Sequence, residues 1–319
     1  MPVMNLLAAG APARLSAPVV WETGVARWLL FTGLSVAVGG LTGRGLARQY
    51  KGNVPVRLPG PWALRGSLLG ALASAWLALI TLGGGDFLAG FAHLPHLFSS
   101  TQGAVAGVEV AAFLLAAGLL RLRQPGWSWV PLIAVIVAEG IGAHPETIIP
   151  VVGALITYCH LLPAAMWAGM LLYVLRVAIL WRNYPDEMRG LVRLYATAAA
   201  WLFATLVVSG VISALVLVPL GSLLTTTYGI VLIVKAAVVA VAAGLAVAGR
   251  VWLHRRPERG AGPARVTKLE FGALALALAV AGLLTALTPP ATPVRHSAAP
   301  TRPATVIRPG AAAARPGSR

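Results

Sequence analysis

The sequence predicts an all-α protein, a polytopic membrane helix bundle with about eight transmembrane helices. Hydrophobic residues make up 58% of the 319-residue chain, and charged residues make up only 11%. The mean hydropathy is +0.81. A soluble domain could not bury so much apolar surface. Because lipid offers backbone groups no hydrogen-bond partners, the long apolar segments must be helices, and the lipid bilayer is the first predicted partner.

Eight apolar segments are long enough to cross a bilayer. The predicted spans are residues 23–43, 66–82, 102–120, 127–142, 148–180, 194–218, 228–249 and 269–287. Residues 1–22 are predicted to be an extracytoplasmic leader segment, and the transmembrane helical domain covers residues 23–288. Residues 289–319 are rich in Pro, Ala and Arg without an apolar pattern, which predicts a disordered tail.

The basic residues are divided unequally between alternate loops. The chain has 25 Lys and Arg residues against 9 Asp and Glu residues, yet the loops 83–101, 143–147 and 219–227 contain neither Lys nor Arg. Because Lys and Arg accumulate in short cytoplasmic loops, these three loops and both termini are predicted to lie outside. The net charge of +16 is then a topology signal, and no nucleic-acid partner is predicted.

Soft and ionisable side chains are concentrated in the fifth predicted span. Cys159, the single cysteine, is followed by His160, Met166 and Met170 within an apolar run. At 100° per residue, Cys159, Met166 and Met170 fall on a narrow arc with His160 beside it. Sulfur ligands favour Cu(I), and imidazole also suits copper. The arc therefore predicts successive copper stations, while the alternative is a packing ridge, since methionines commonly fill space in apolar helices.

Three further histidines are predicted to lie on the extracytoplasmic side. His93 and His96 are three residues apart, and His144 follows the fourth span. Two imidazoles at this spacing can share one ion on a helical turn. The sequence thus predicts a shallow metal-collecting site, with solvated interfacial histidines as the alternative.

Three ionisable residues lie within other predicted spans, namely Glu109, Glu139 and Lys235. An unpaired ammonium at membrane depth would cost several kcal/mol, so we expect Lys235 either to pair with one of the two glutamates or to be a neutral amine. The functional interpretation is a proton or ion relay, and the structural one is an ion pair that holds helices in register.

Two segments together resemble a known family. Residues 159–169 (CHLLPAAMWAG) are similar to its signature, in which a His-Leu pair precedes Trp and Gly, and residues 227–235 (TYGIVLIVK) are similar to its Tyr-Gly-x-x-Leu-x-x-Lys segment. Glu270 opens an apolar stretch that resembles its last span. Over about residues 139–290 the chain resembles the copper resistance D (CopD) family of bacterial inner-membrane proteins.

The resemblance implies a multi-pass protein of the bacterial cytoplasmic (inner) membrane that imports copper from the extracytoplasmic side. It carries over His160, Trp167, Tyr228 and Lys235 as family positions. A soluble extracytoplasmic copper-donor protein is an expected partner. Two departures stand out: His144 follows Gly-Ala, whereas the family has Gly-His-Ala, and Met170 replaces a glycine of the family.

The sequence does not indicate an enzyme. Nucleophile–base sets, phosphate loops and paired catalytic carboxylates are missing from it. Alternative functions are a haem-binding or electron-transfer membrane protein, an assembly factor for a copper oxidase, and a proton-coupled transporter of an organic solute. A haem with two axial histidines would need a pair near one depth, and His160 is the one histidine predicted to lie deep.

Overall fold

The computed structural model describes residues 17–50, 58–141, 150–181, 183–218, 221 and 223–255, which form helices and turns without a strand. The α-helices are α1 (Ala17–Tyr50), α2 (Ala63–Leu82), α3 (Phe87–Ala92), α4 (Thr101–Arg121), α5 (Trp129–Ile141), α6 (Pro150–Leu180), α7 (Pro185–Leu217) and α8 (Thr227–Arg255). A 3-10 helix, Leu94–Ser99, lies between α3 and α4.

The predicted fold class, a polytopic membrane helix bundle, is confirmed. Within the described ranges, five helices are long and apolar enough to cross a membrane, and Trp129–Ile141 and Thr227–Val241 are shorter apolar helices. These seven correspond in order to the first seven predicted spans. The eighth predicted span and the tail lie outside the described residues, so the number eight stays a prediction.

Two helices start more than one turn earlier than predicted. α1 begins at Ala17, so it takes in the end of the predicted leader segment. α7 begins at Pro185 rather than near residue 194, with Asp186 and Glu187 in its first turn. Proline suits the first helical position, and carboxylates there stabilise the positive end of the helix dipole. Local chemistry at the helix start therefore extends α7 beyond its apolar segment.

The connection between α2 and α4 is more ordered than an apolar pattern indicates. The side chain of Asp86 accepts hydrogen bonds from the backbone N–H groups of Leu88 and Ala89 and caps α3. Ser100 accepts one from the Gly103 N–H and caps α4. Such caps satisfy N–H groups that have no partner within the helix.

Small residues let α1 approach both α2 and α6. A Cβ atom on Gly33 would lie 2.6 Å from the Gly70 nitrogen of α2, and one on Gly169 of α6 would overlap the Ser35 carbonyl oxygen of α1. Apolar side chains give two membrane helices no hydrophobic reason to associate, so close backbone packing of this kind is what holds them together. α1 is thus the helix around which α2 and α6 are arranged.

The core is divided between two sides of α6. One cluster joins α1, α2, α4 and α5 to Ala165 of α6, and it includes the fully buried Leu34, Phe113 and Leu132. The other joins α6 to α7 through Trp167, Leu171, Tyr195 and other buried residues. α6 therefore belongs to both halves of the bundle, and residues on its different faces have different neighbours.

The predicted cytoplasmic end of α6 is fastened to the segment before α2. The Tyr173 hydroxyl donates to the Pro59 carbonyl at 2.7 Å, and Arg176 Nη1 donates to the Gly60 carbonyl at 3.0 Å. The Arg176 guanidinium also lies 3.9 Å from the centre of the Trp62 ring. These contacts hold the position of α6 along its axis.

Candidate functional site

His160 lies on the side of α6 that packs against α7. Its Nδ1 atom is 3.2 Å from the Ser209 hydroxyl of α7. The neighbouring Gly210 leaves room for the ring, because a Cβ atom there would lie 3.1 Å from His160 Cε1. The imidazole therefore packs against two consecutive residues of α7, a serine and a glycine.

The hydrogen bonds of Ser209 indicate which histidine tautomer is present. The Ser209 hydroxyl is 2.7 Å from the Thr205 carbonyl oxygen, its shortest contact, and 3.4 Å from the Cys159 carbonyl oxygen. A hydroxyl has one proton, and here it is best placed on the bond to Thr205. Ser209 Oγ then accepts from His160 Nδ1–H, so Nε2 keeps its lone pair.

Lys235 of α8 brings a third helix to this site. It lies within electrostatic range of His160 and is partly buried. Among the described residues, the two ion pairs are Arg27–Glu139 and Arg189–Asp186, and neither involves Lys235. The site therefore combines an imidazole, a hydroxyl and an amine from α6, α7 and α8.

The sulfur residues of the predicted arc have different surroundings. Cys159 is exposed on the bundle surface. Met166 is partly buried against the cluster of α1, α2, α4 and α5, and Met170 is buried in the cluster shared with α7. No three His, Cys, Asp or Glu side chains within the described ranges form a metal-binding group. The structure thus distributes the candidate ligands along and around α6.

The outer histidines lie in the connection between α2 and α4. His93 ends α3 and its Nδ1 is 2.9 Å from the Ala89 carbonyl oxygen, while His96 lies in the 3-10 helix. Both side chains are exposed. His144 lies outside the described residues, so the three-histidine site stays a prediction.

Glu139 pairs with a residue that sequence reasoning missed. Arg27 Nη1 of α1 lies 2.8 Å from Glu139 Oε2. Glu109 lies beside Glu139 and within electrostatic range of Arg27. The expectation that Lys235 pairs with one of these glutamates is therefore wrong, because α8 packs against α7, whereas α4 and α5 belong to the other half of the bundle.

The family positions have clear packing roles. Trp167 is buried and its ring packs edge-on to Phe203 at 5.5 Å between centroids. Gly169 provides the close approach of α6 to α1. Tyr228 is buried beside Val218 at the start of α8.

Ser209, Gly210 and Arg27 are the residues of interest that sequence reasoning did not select. The pair Ser209-Gly210 carried a usable signal, because small and hydroxyl-bearing residues mark helix contacts in apolar segments. Arg27 carried a signal as a cation within the first predicted span. The partners of these residues depend on which helices are neighbours, and the sequence does not show that.

The fold and this site show the class of protein: it is a multi-pass helical membrane protein with a histidine at a contact between helices. Residues 189–284 match the family described as Copper resistance protein D (CopD). The match supports the assignment of the chain to the CopD family of copper resistance membrane proteins and confirms the resemblance found in the sequence. It covers most of α7 and all of α8, including Ser209 and Lys235, and begins after His160. No curated protein and no solved structure matches the chain.

Proposed function

We propose that this protein carries copper across the bacterial cytoplasmic membrane into the cell, with His160 as its central ligand, and that it acts as a carrier and not as an enzyme. The observation that carries this proposal is the hydrogen bond from His160 to Ser209. It occupies Nδ1, so in this tautomer Nε2 keeps the lone pair that a metal ligand at membrane depth needs. The CopD match, which covers most of α7 and all of α8, supports copper as the metal.

The position of His160 suits a station on a path rather than a storage site. It lies ten residues into α6, which is about 15 Å along the axis at 1.5 Å per residue. A carried ion must leave as readily as it enters, so weak sites in succession are favoured over a closed cage. The spread of Cys159, Met166 and Met170 along α6 fits this requirement, and their sulfur atoms favour Cu(I).

The outer side is the proposed source of the ion. His93 and His96 are exposed in the connection that the charge pattern assigns to the outside. Imidazoles there can collect copper or receive it from a soluble copper-donor protein. Lys235 is proposed to be a neutral amine at rest, because an unpaired ammonium beside the path would repel the ion.

The test is the copper content of cells with and without the protein, at limiting and at excess copper. Import predicts higher cellular copper in its presence, whereas lower copper would contradict the proposed direction. His160→Leu and His160→Gln should both abolish this difference at equal expression, and glutamine keeps a side chain able to bond Ser209.

Thr157→Val is the matched control on the same helix. Among the described residues, the partner of the Thr157 hydroxyl is the Gly153 carbonyl of α6, at 3.0 Å, so valine should leave copper accumulation unchanged. Parental copper content in both His160 variants would overturn the proposed role of His160.

A further inference from the structure

A second polar cluster is buried in the half of the bundle that lies outside the CopD match. It consists of Arg27 of α1, Ser74 of α2, Glu109 of α4 and Glu139 of α5. Glu109 is 1% exposed and Ser74 is 0% exposed. Four helices therefore bring polar groups to one place within an otherwise apolar core.

The charges of this cluster do not balance if both carboxyl groups are ionised. Arg27 Nη1 binds both carboxylate oxygens of Glu139, at 3.1 and 2.8 Å. Glu109 has no Lys or Arg within salt-bridge distance among the described residues. Two adjacent carboxylates with one guanidinium would leave a net negative charge in a low-dielectric region, which costs several kcal/mol.

Three atoms of the cluster also lack hydrogen-bond partners. Arg27 Nε, Glu109 Oε2 and Ser74 Oγ are buried without a partner within the described part of the chain. An ionised carboxylate can only accept hydrogen bonds, whereas a protonated one can also donate. A proton on Glu109 removes the excess charge and supplies a donor that can reach Glu139 or Ser74.

Other titratable groups on the packed helices do not supply the missing charge. The Tyr158 hydroxyl of α6 lies 3.4 Å from the Val137 carbonyl oxygen, to which it donates. His160 is directed to Ser209. Arg65 and Arg121 lie at the predicted cytoplasmic ends of α2 and α4.

The cluster lies toward the predicted outer ends of α4 and α5. Glu109 lies eight residues after Thr101, about 12 Å along α4 from its predicted outer end. Glu139 is two residues from the last residue of α5, Ile141. The Arg27 side chain is 23% exposed and that of Glu139 is 7% exposed, so Arg27 is the member of the cluster nearest to the surface of the bundle.

We propose that Glu109 and Glu139 form a proton-binding site, in which Glu109 holds the proton and Arg27 neutralises Glu139. The proton comes from water on the outer side and returns there, so no bond other than O–H is made or broken. The site takes a proton rather than a metal ion, since one of its two carboxylates is already neutralised by a cation.

Infrared spectroscopy of the full chain in a maltoside detergent, which contains no carbonyl group, tests this proposal without copper. A protonated carboxylic acid has a carbonyl stretch that a carboxylate lacks. Spectra between about pH 6 and about pH 9, where ordinary carboxylates are ionised, should show this band in the parent. It should be lost in Glu109→Gln and kept in Glu22→Gln, which removes an exposed carboxylate. Absence of the band in the parent, or its persistence in Glu109→Gln, would overturn the proposal.

Two additional variants test whether Glu109 and Glu139 share one site and whether that site is independent of His160. Arg27→Gln should enlarge the band, because Glu139 loses its cation and also takes a proton, while an unchanged band would contradict the shared site. His160→Leu should keep the band, so this result is independent of the proposed copper path. Loss of the parental band on adding sodium at constant pH would assign the site to a metal cation and overturn the proton assignment.

Discussion

Arg27 of α1 and Glu139 of α5 form an ion pair across 112 positions of the sequence, with Nη1 at 3.1 Å from Oε1 and 2.8 Å from Oε2. The Glu139 side chain is 7% exposed. The pair joins two helices of the half of the bundle that the family match does not cover. A substitution of one member of the pair therefore also changes the environment of the other.

Arg27→Met is expected to lower the free energy of unfolding by about 3 kcal/mol, because it leaves Glu139 buried without its cation. The double variant Arg27→Met/Glu139→Leu should recover part of this loss, since the unpaired charge is gone. Unfolding in detergent measures both. Asp186→Asn is the control, because it breaks the exposed pair with Arg189 and should cost at most about 1 kcal/mol. Additive effects of the two substitutions would show that the pair has no coupling.

Ser209→Ala is expected to lower copper affinity about 10–100-fold, because removing the partner of a ligating histidine frees its ring to turn. The measurement is a copper titration of the purified protein. Ser213→Ala, one turn further along α7, is the control and should bind copper like the parent. Equal affinity in Ser209→Ala would mean that the hydrogen bond does not prepare His160 for metal.

Met166→Leu and Met170→Leu should reduce copper uptake while changing the free energy of unfolding by less than about 1.5 kcal/mol, since they conserve volume. The thioether sulfur is lost and the packing is kept. Met170 is 1% exposed, so Met170→Leu is more sensitive than Met166→Leu to any loss of packing. If both variants are folded and accumulate copper like the parent, the two methionines are packing residues.

Gly169→Ala should destabilise the protein by about 1–3 kcal/mol, because its methyl group would overlap the Ser35 carbonyl oxygen and separate α6 from α1. Gly118→Ala is the matched control in α4, since nothing lies within 4 Å of the added atom. It should be neutral or stabilise the helix by up to about 1 kcal/mol. The comparison is made by thermal unfolding, and equal melting temperatures would contradict the close approach of the two helices.

Reporter fusions test the predicted orientation. Fusions after Arg123 and Arg189 should report the cytoplasm, and fusions after His96 and Gly221 should report the outside, because only the first two follow basic loops. Two inverted reporters would overturn the assignment of both termini to the outside.

The sequence alone determined the class of protein and the approximate ends of seven apolar helices. Span length, apolar content and the placement of Lys and Arg are local properties that the bilayer imposes on each segment. The residues at 227–235 and the match at 189–284 likewise depend on sequence alone. The depth of His160 along α6 also follows from counting residues from the end of its span.

Only the tertiary structure decided which side chains meet. The cost of an unpaired charge in the membrane predicted Glu109 or Glu139 as a partner of Lys235. The structure instead pairs Glu139 with Arg27, because α1 lies beside α5 and α8 lies beside α7. Cys159 and Met170 share an arc of α6, yet one is exposed and the other is covered by α1 and α7. Helix neighbours are set by close backbone contacts such as Gly169 with Ser35, and these join residues far apart in the chain. Such contacts have no periodicity within one segment, so the hydrophobic pattern cannot show them.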